Sequence, residues 1–180
     1  MKLGVYIGSF DPVHKGHIDV VKYLLKNKIV DRVLMIPTGG YWHKTDLTDI
    51  QDRINMLKIF ETDNILVDDK HNDIQYTYLL MNNLKEECND ELYLILGADN
   101  IINFDKWKNY QELLKYKIIV MNRDNIDVNE YIKKYNTTNF IVLNDYPFIN
   151  ISSTELRENL DSQYLDEKVL KYIKENNLYK

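Results

Sequence analysis

The sequence predicts an α/β fold, a doubly wound parallel sheet with flanking helices and a small C-terminal helical part. Three observations lead there. Strand-like and helix-like segments alternate almost throughout the 180 residues, the pattern of strand–helix–strand crossovers in a parallel sheet. The strand-like runs are short and apolar, as strands covered on both faces must be. Two of them end directly in glycine, Leu3 to Ile7 at Gly8 and Leu92 to Leu96 at Gly97, the mark of a parallel strand meeting a turn.

Taken in order, Leu3 to Ile7 is the first strand. A helix follows from about Gly16 to Asn27, with Ile18, Val21, Leu24 and Leu25 on one face. Val33 to Ile36 is a second strand, stopped by Pro37 and Gly39-Gly40. Thr48 to about Glu61 reads as a helix opened by a Thr48-Asp49-Ile50-Gln51 capping box, with Ile50, Ile54 and Leu57 in a stripe. Ile65 to Val67 is a short strand, and Tyr76 to Glu87 a helix carrying Leu79, Leu80 and Leu84. After the strand Leu92 to Leu96, residues Asn100 to Tyr116 form one or two helices. Ile118 to Met121 is a strand, Val128 to Tyr135 a helix and Phe140 to Leu143 a strand. Phe148 to Ile151 is extended and a helix begins at Ser152. A last helix runs from about Asp166 to Asn177, with Leu165, Val169 and Ile173 along one face. Residues 1–180 form a single domain, of which about 152–180 is a helical subregion.

Bulk properties bound the function. Hydrophobic residues at 44% and charged residues at 28% are ordinary for a globular protein. A net charge of -5 argues against nucleic acid as a partner, because phosphate backbones need a basic surface. No apolar run is long enough to span a membrane, and the apolar N-terminus is too short for a signal peptide. The single cysteine, Cys88, cannot form an internal disulfide. It fits a reducing, cytoplasmic setting and reads as a partly buried helix residue. No residues have metal-ligand spacing: His14 and His17 would need further ligands, and His43 and His71 stand at no such spacing. A homodimer is compatible with the chain.

Parallel sheets bind ligands beyond the carboxyl ends of their strands, so the segments after Ile7, Ile36, Leu96 and Ile151 are where chemistry is expected. After Ile7 comes Gly8-Ser9-Phe10-Asp11-Pro12-Val13-His14-Lys15-Gly16-His17. Gly8 lets the backbone approach a ligand closely. His14 and His17, three residues apart, share one side of a first helical turn, where free N–H groups favour an anion. Two imidazoles there can donate to phosphate oxygens, and can carry charge if a phosphate raises their pKa. Gly16 leaves room for a phosphate chain.

The other end of the chain offers Ile151-Ser152-Ser153-Thr154-Glu155-Leu156-Arg157. Ser152 and Glu155 make a capping box. The same helix start offers hydroxyls and N–H groups to phosphate, and Arg157 can bring its guanidinium to the same anion. Between the two lies Leu96-Gly97-Ala98-Asp99-Asn100. Asp99 suits either a ribose hydroxyl or the cap of a helix. Trp107 is either a flat stacking face for a ring or a core residue.

The string G-S-F-D-P-V-H-K-G-H resembles the signature of the adenylyltransferase and cytidylyltransferase superfamily, and I-S-S-T-E-L-R resembles its second, phosphate-binding signature. Gly97 to Arg123, with Gly97-Ala98-Asp99, Trp107 and Arg123, resembles the nicotinate-nucleotide adenylyltransferases. So do His43-Lys44, Arg53 with Met56-Leu57, and the closing stretch Val169 to Tyr179. Two places depart from that pattern: Tyr41-Trp42 stands where the family carries two prolines, and Gln75-Tyr76-Thr77 where it carries Ser-Tyr-Thr.

The resemblance implies a Rossmann-like fold and transfer of an adenylyl group from ATP to nicotinic acid mononucleotide, giving deamido-NAD and pyrophosphate. It implies His14, His17, Lys44 and Arg157 as catalytic groups. Gly8, Ser9, Phe10, His14, Gly16, His17, Gly97, Asp99, Ile151, Ser152, Ser153 and Arg157 would line the ATP site. Lys44, Thr77, Asp99 and Trp107 would hold the acceptor. Mg²⁺ would accompany ATP, held largely by substrate and water. Three alternatives are a phosphopantetheine adenylyltransferase, a cytidylyltransferase and a non-catalytic nucleotide sensor. The Trp107 region, the G-S-F-D-P loop and the complete set of phosphate donors speak against them in turn.

Overall fold

The computed structural model describes residues 1–39, 46–122, 125–147 and 149–180. Of the sequence expectations, those on Gly40, Tyr41-Trp42, His43, Lys44, Arg123 and Phe148 lie outside the described residues.

Six strands form one sheet in the order β3-β2-β1-β4-β5-β6. They are β1 (Lys2–Gly8), β2 (Arg32–Pro37), β3 (Ile65–Val67), β4 (Glu91–Gly97), β5 (Lys117–Met121) and β6 (Phe140–Leu143). Every neighbouring pair is parallel. The chain starts at the centre, winds outward to β3, then returns to the other side of β1 and winds outward again. The order therefore reverses between β1 and β4, and the crevice at such a switch point is where sheets of this kind bind ligands.

Side-chain alternation explains the two helical layers. On one face Tyr93, Ile95, Ile119 and Met121 pack with α1 (Lys15–Lys26), α2 (Ile50–Lys58), α7 (Ser153–Glu158) and α8 (Glu167–Glu175). On the other, Leu92, Leu94, Leu96, Ile118 and Val120 pack with α3 (Thr77–Glu87), α4 (Ala98–Ile102), α5 (Tyr110–Leu113) and α6 (Val128–Ile132). β4 is buried on both faces, which is why its sequence is an unbroken apolar run.

Several boundaries differ from the sequence reading. α2 is capped by Asp49, whose side chain accepts from the Gln51 N–H, and not by Thr48. The Thr48 N–H is already given to the Asp11 carboxylate at 3.0 Å, so Thr48 stands before the helix. The stretch Asn100 to Tyr116 is two short helices, α4 and α5, with a 3₁₀ turn at Phe104–Lys106 between them. The helix expected through Tyr135 stops at Ile132. Tyr135 instead packs edge-on against Phe104, with ring centroids 5.5 Å apart. Cys88 is the C-cap of α3, partly buried.

Candidate active site

The first functional segment is built from the end of β1. His14 is the N-cap of α1, in extended backbone at φ -136°. Its Nδ1 accepts the Gly16 N–H at 3.0 Å, while the His17 Nδ1 accepts the His14 N–H at 3.1 Å. The two histidines thus cap one helix for each other, taking the places usually held by Ser and Glu. The chemical consequence is a fixed tautomer. With Nδ1 occupied as acceptor on both rings, the neutral imidazoles carry their protons on Nε2, the one ring nitrogen each has left for a ligand.

Burial keeps these rings neutral. It lowers the His14 pKa to about 4. It lowers His17 as well, and the nearby His14 charge adds to the effect. The rings stack, with centroids 3.7 Å apart and planes 24° from parallel. Phe10, 2% exposed, supports them from below, its ring edge-on to His17 at 4.9 Å. Gly16 serves this packing: a Cβ there would stand 2.8 Å from the His14 Cε1 and 2.9 Å from its Nδ1. The room that the sequence reading gave to a phosphate chain is thus needed by the His14 ring itself.

The second segment closes on the first. Ser152 caps α7, accepting from the Glu155 N–H at 3.2 Å, and Glu155 answers with a carboxylate oxygen 3.4 Å from the Ser152 N–H. The capping reading therefore holds. Ser153 Oγ donates to the Pro12 carbonyl at 3.0 Å. Arg157 donates from Nη1 to the Asp11 carbonyl at 2.8 Å and from Nη2 to Thr154 Oγ1 at 3.1 Å. These bonds fix α7 against the β1–α1 loop and hold Arg157 beside it.

Beneath that loop two charged side chains lie buried close enough to feel each other's charge, a placement that the sequence reading did not identify. Asp11 and Arg53 are 1% and 2% exposed. Arg53 donates to three backbone carbonyls, those of Thr48 (2.8 Å), Ser9 (3.0 Å) and Thr38 (2.6 Å). One guanidinium thereby joins the loops after β1 and β2 to the start of α2. Burial lowers its pKa, and the Asp11 carboxylate opposes that shift. Arg53 carried two signals in the sequence, its place in the Arg53, Met56-Leu57 resemblance and a charge on the inward stripe of α2 beside Ile54 and Leu57, but neither pointed to these partners.

A cleft of about 810 Å³ opens at the switch point, within the range of roughly 300–1,000 Å³ typical of small-molecule sites. It is lined by Gly8, Ser9, Phe10, His14, Gly16, His17, Thr77, Gly97, Asp99, Trp107, Ile151, Ser152, Ser153 and Arg157. Every described residue given a catalytic, ATP-site or acceptor role in the sequence thus meets in one place; Lys44 is outside the described residues. Asp99 is not a helix cap: Gly97 holds that position and Asp99 lies exposed in the first turn of α4. Trp107 combines both expected characters. It packs on Phe104 with ring centroids 5.4 Å apart and also lines the cleft.

Around Thr77, α3 begins without a side-chain cap at Tyr76. A recess of about 40 Å³, bordered by Ile7, Ile36, Thr38, Gln75 and Thr77, opens there. The Lys108 ammonium lies 4.8 Å from the Tyr76 ring centroid, bringing the Trp107 loop to this wall. The loop before α3 is pinned by His71, whose Nδ1 lies 2.7 Å from Asp68 and Nε2 3.0 Å from Glu87. Neither Lys108 nor His71 stood out in the sequence as a site residue. Among the described residues no group of three His, Cys, Asp or Glu could hold a metal ion, and no helix is long and apolar enough to cross a membrane.

The Cytidylyltransferase-like family model matches residues 5–159. A "Probable nicotinate-nucleotide adenylyltransferase" of Clostridium novyi is 33% identical over 200 residues, covering 99% of each chain. A protein of the same name from Clostridium perfringens is 34% identical, covering 99% of this chain and 98% of its own. Among solved structures, the Plasmodium falciparum nicotinic acid mononucleotide adenylyltransferase complexed with NaAD superposes with a TM-score of 0.83. It is 25% identical, with 99% of this chain and 97% of that one covered. The same enzyme complexed with APC gives a TM-score of 0.81. Two helix-opening segments meeting across a switch-point cleft, in a chain with full-length relatives of one kind, lead to one conclusion: it belongs to the Cytidylyltransferase-like family and, within it, to the nicotinate-nucleotide adenylyltransferases.

Proposed function

We propose that this chain transfers the adenylyl group of ATP to nicotinic acid mononucleotide, forming deamido-NAD and pyrophosphate in NAD biosynthesis. A phosphate oxygen of the acceptor attacks the α-phosphorus of ATP. The new P–O bond forms as the bond between the α-phosphorus and the bridging oxygen breaks, and pyrophosphate leaves with that electron pair. The acceptor phosphate is already ionised at neutral pH, so the protein need supply no nucleophile. Catalysis rests on alignment and on hydrogen bonds to charge that builds on the phosphates.

The observation that carries this reading is the reciprocal capping of His14 and His17. It leaves two neutral Nε2–H donors side by side in the cleft. They are the groups we assign to the α-phosphate and the leaving pyrophosphate. Arg157 and Lys44 add positive charge there. Gly8, Ser9, Phe10, Gly16, Gly97, Asp99, Ile151, Ser152 and Ser153 border the ATP site in this reading. Thr77, Trp107, Lys44 and Asp99 border the acceptor. Mg²⁺ would enter with ATP. The described residues build no chelating cluster for it, so triphosphate and water would hold it, and its charge would offset that of the leaving group. We also read residues 1–180 as one domain, working in the cytoplasm where ATP and a free Cys88 are both at home.

Pyrophosphate release with ATP and each of three acceptors tests the assignment: nicotinic acid mononucleotide, its amide counterpart and phosphopantetheine. The acid mononucleotide should give the highest kcat/KM. A higher value for either of the others would overturn the substrate assignment.

A further inference from the structure

Tyr179 lies outside the cleft lining yet grips the loop that builds it. Helix α8 ends in a closed turn. The Leu178 N–H donates to the Ile173 carbonyl at 3.0 Å, and Asn177 adopts the left-handed conformation at φ 53°. Tyr179 is left-handed too, at φ 58°, an uncommon state for a bulky residue that surrounding contacts must enforce. Its ring packs on the core, and its hydroxyl donates to Asp11 Oδ1.

Asp11 is the point where the loop is held. Its Oδ2 accepts the Thr48 N–H at 3.0 Å and its carbonyl accepts Arg157 at 2.8 Å. Being 1% exposed, its carboxylate has no water to replace a lost partner. We propose that Tyr179 is a positioning residue for adenylyl transfer. Acting through the Asp11 carboxylate, its hydroxyl fixes the turn from Asp11 to His14 so that both imidazoles and Arg157 address one triphosphate. This rests on the adenylyl-transfer reading of the cleft.

A second tyrosine of the same region provides the contrast. The Tyr172 hydroxyl donates to Asp52 Oδ1 at 2.7 Å and accepts from Asn55 Nδ2 at 2.9 Å. Those partners belong to α2, and none of the three lines the cleft. Tyr172 anchors α8; Tyr179 alone of the pair reaches the β1–α1 loop.

The test compares Tyr179→Phe with Tyr172→Phe in the full chain, each losing one hydroxyl. Tyr179→Phe should lower kcat about ten-fold or more, as small misplacements of catalytic groups do, with KM for ATP nearly unchanged. It should also shift the ¹⁵N imidazole resonances of His14 and His17 in the absence of substrate. Tyr172→Phe should lower the thermal midpoint while leaving kcat and those resonances in place. Equal kcat losses in both variants, or a Tyr179→Phe protein with wild-type kcat and unshifted resonances, would overturn the proposal. If the wild-type chain adenylylates no mononucleotide, the functional reading falls. The imidazole resonances, which need no substrate, still decide whether Tyr179 positions the loop.

Discussion

The His17 Nδ1 accepts the backbone N–H of His14 at 3.1 Å, and the His14 Nδ1 accepts that of Gly16 at 3.0 Å. The spacing of the H-x-G-H string is therefore the spacing of a helix cap. The residues that close the first turn of α1 are the same ones that present donors to the cleft.

His17→Ala removes one such donor. Turnover should fall by about 10²-fold or more, the usual cost of losing a hydrogen bond to charge that develops in a transition state. The cap is weakened at the same time, at about 1 kcal/mol. Pyrophosphate release and thermal unfolding on the same sample separate the two effects. A variant that keeps most of its turnover would remove His17 from the mechanism.

Neutral burial of the imidazoles makes stability depend on pH. In the unfolded chain His14 takes a proton near its ordinary value of 6.5, whereas in the folded chain burial holds it off until about 4. The unfolded state therefore binds more protons inside that window, and stability must drop as pH falls through it. Above 6.5 the contribution of neutral burial is fully present. His14→Asn keeps a good cap residue but cannot titrate. Its unfolding midpoint should vary less with pH across the window than that of the wild type, measured by calorimetry.

Gly16→Ala places a methyl 2.8 Å from the His14 ring. Helix propensity alone would favour the alanine by roughly 1 kcal/mol. The ring must give way, and with it the Nε2–H donor. Turnover should fall while the protein stays folded by circular dichroism. Wild-type turnover would mean that the ring position is not critical.

Arg53→Met keeps the side-chain volume and removes the guanidinium. Three carbonyls lose their donor in a site 2% exposed, and the Asp11 carboxylate loses a nearby positive charge. Unfolding free energy in urea should drop by about 3 kcal/mol or more, because each buried acceptor left unsatisfied costs about 1–3 kcal/mol. A drop under about 1 kcal/mol would mean that the three bonds contribute nothing net to stability.

What the sequence revealed divides along a physical line. Local signals were legible. Unbroken apolar runs marked β4 and β5, glycine marked the ends of β1 and β4, and histidines, serines and Arg157 marked the turns that line the cleft. The strand order was not written locally, because the β1–β4 pairing joins segments that α1, β2, α2, β3 and α3 separate. The Asp11 hub was hidden for the same reason: Arg53 bonds to Ser9 at a separation of 44 residues, and Tyr179 to Asp11 at 168. Local rules also yielded where a distant partner competed. Thr48 has the makings of a cap, but Asp11 takes its N–H, and the cap passes to Asp49. Asp99 has the same makings and is displaced by Gly97, already at the turn.

Gly97 closes β4 in ordinary extended backbone, at φ -76° and ψ 159°, and among the described residues a Cβ built on it meets no atom within 4 Å beyond its chain neighbours. Unlike Gly16, it is not required by its neighbours. A methyl at that position would be a bump that only an occupant of the cleft could feel. Gly97 is thus a natural handle for engineering. Gly97→Ala paired with a nucleotide analogue trimmed to match would give an enzyme orthogonal to the cell's own pool, with the scaffold left untouched.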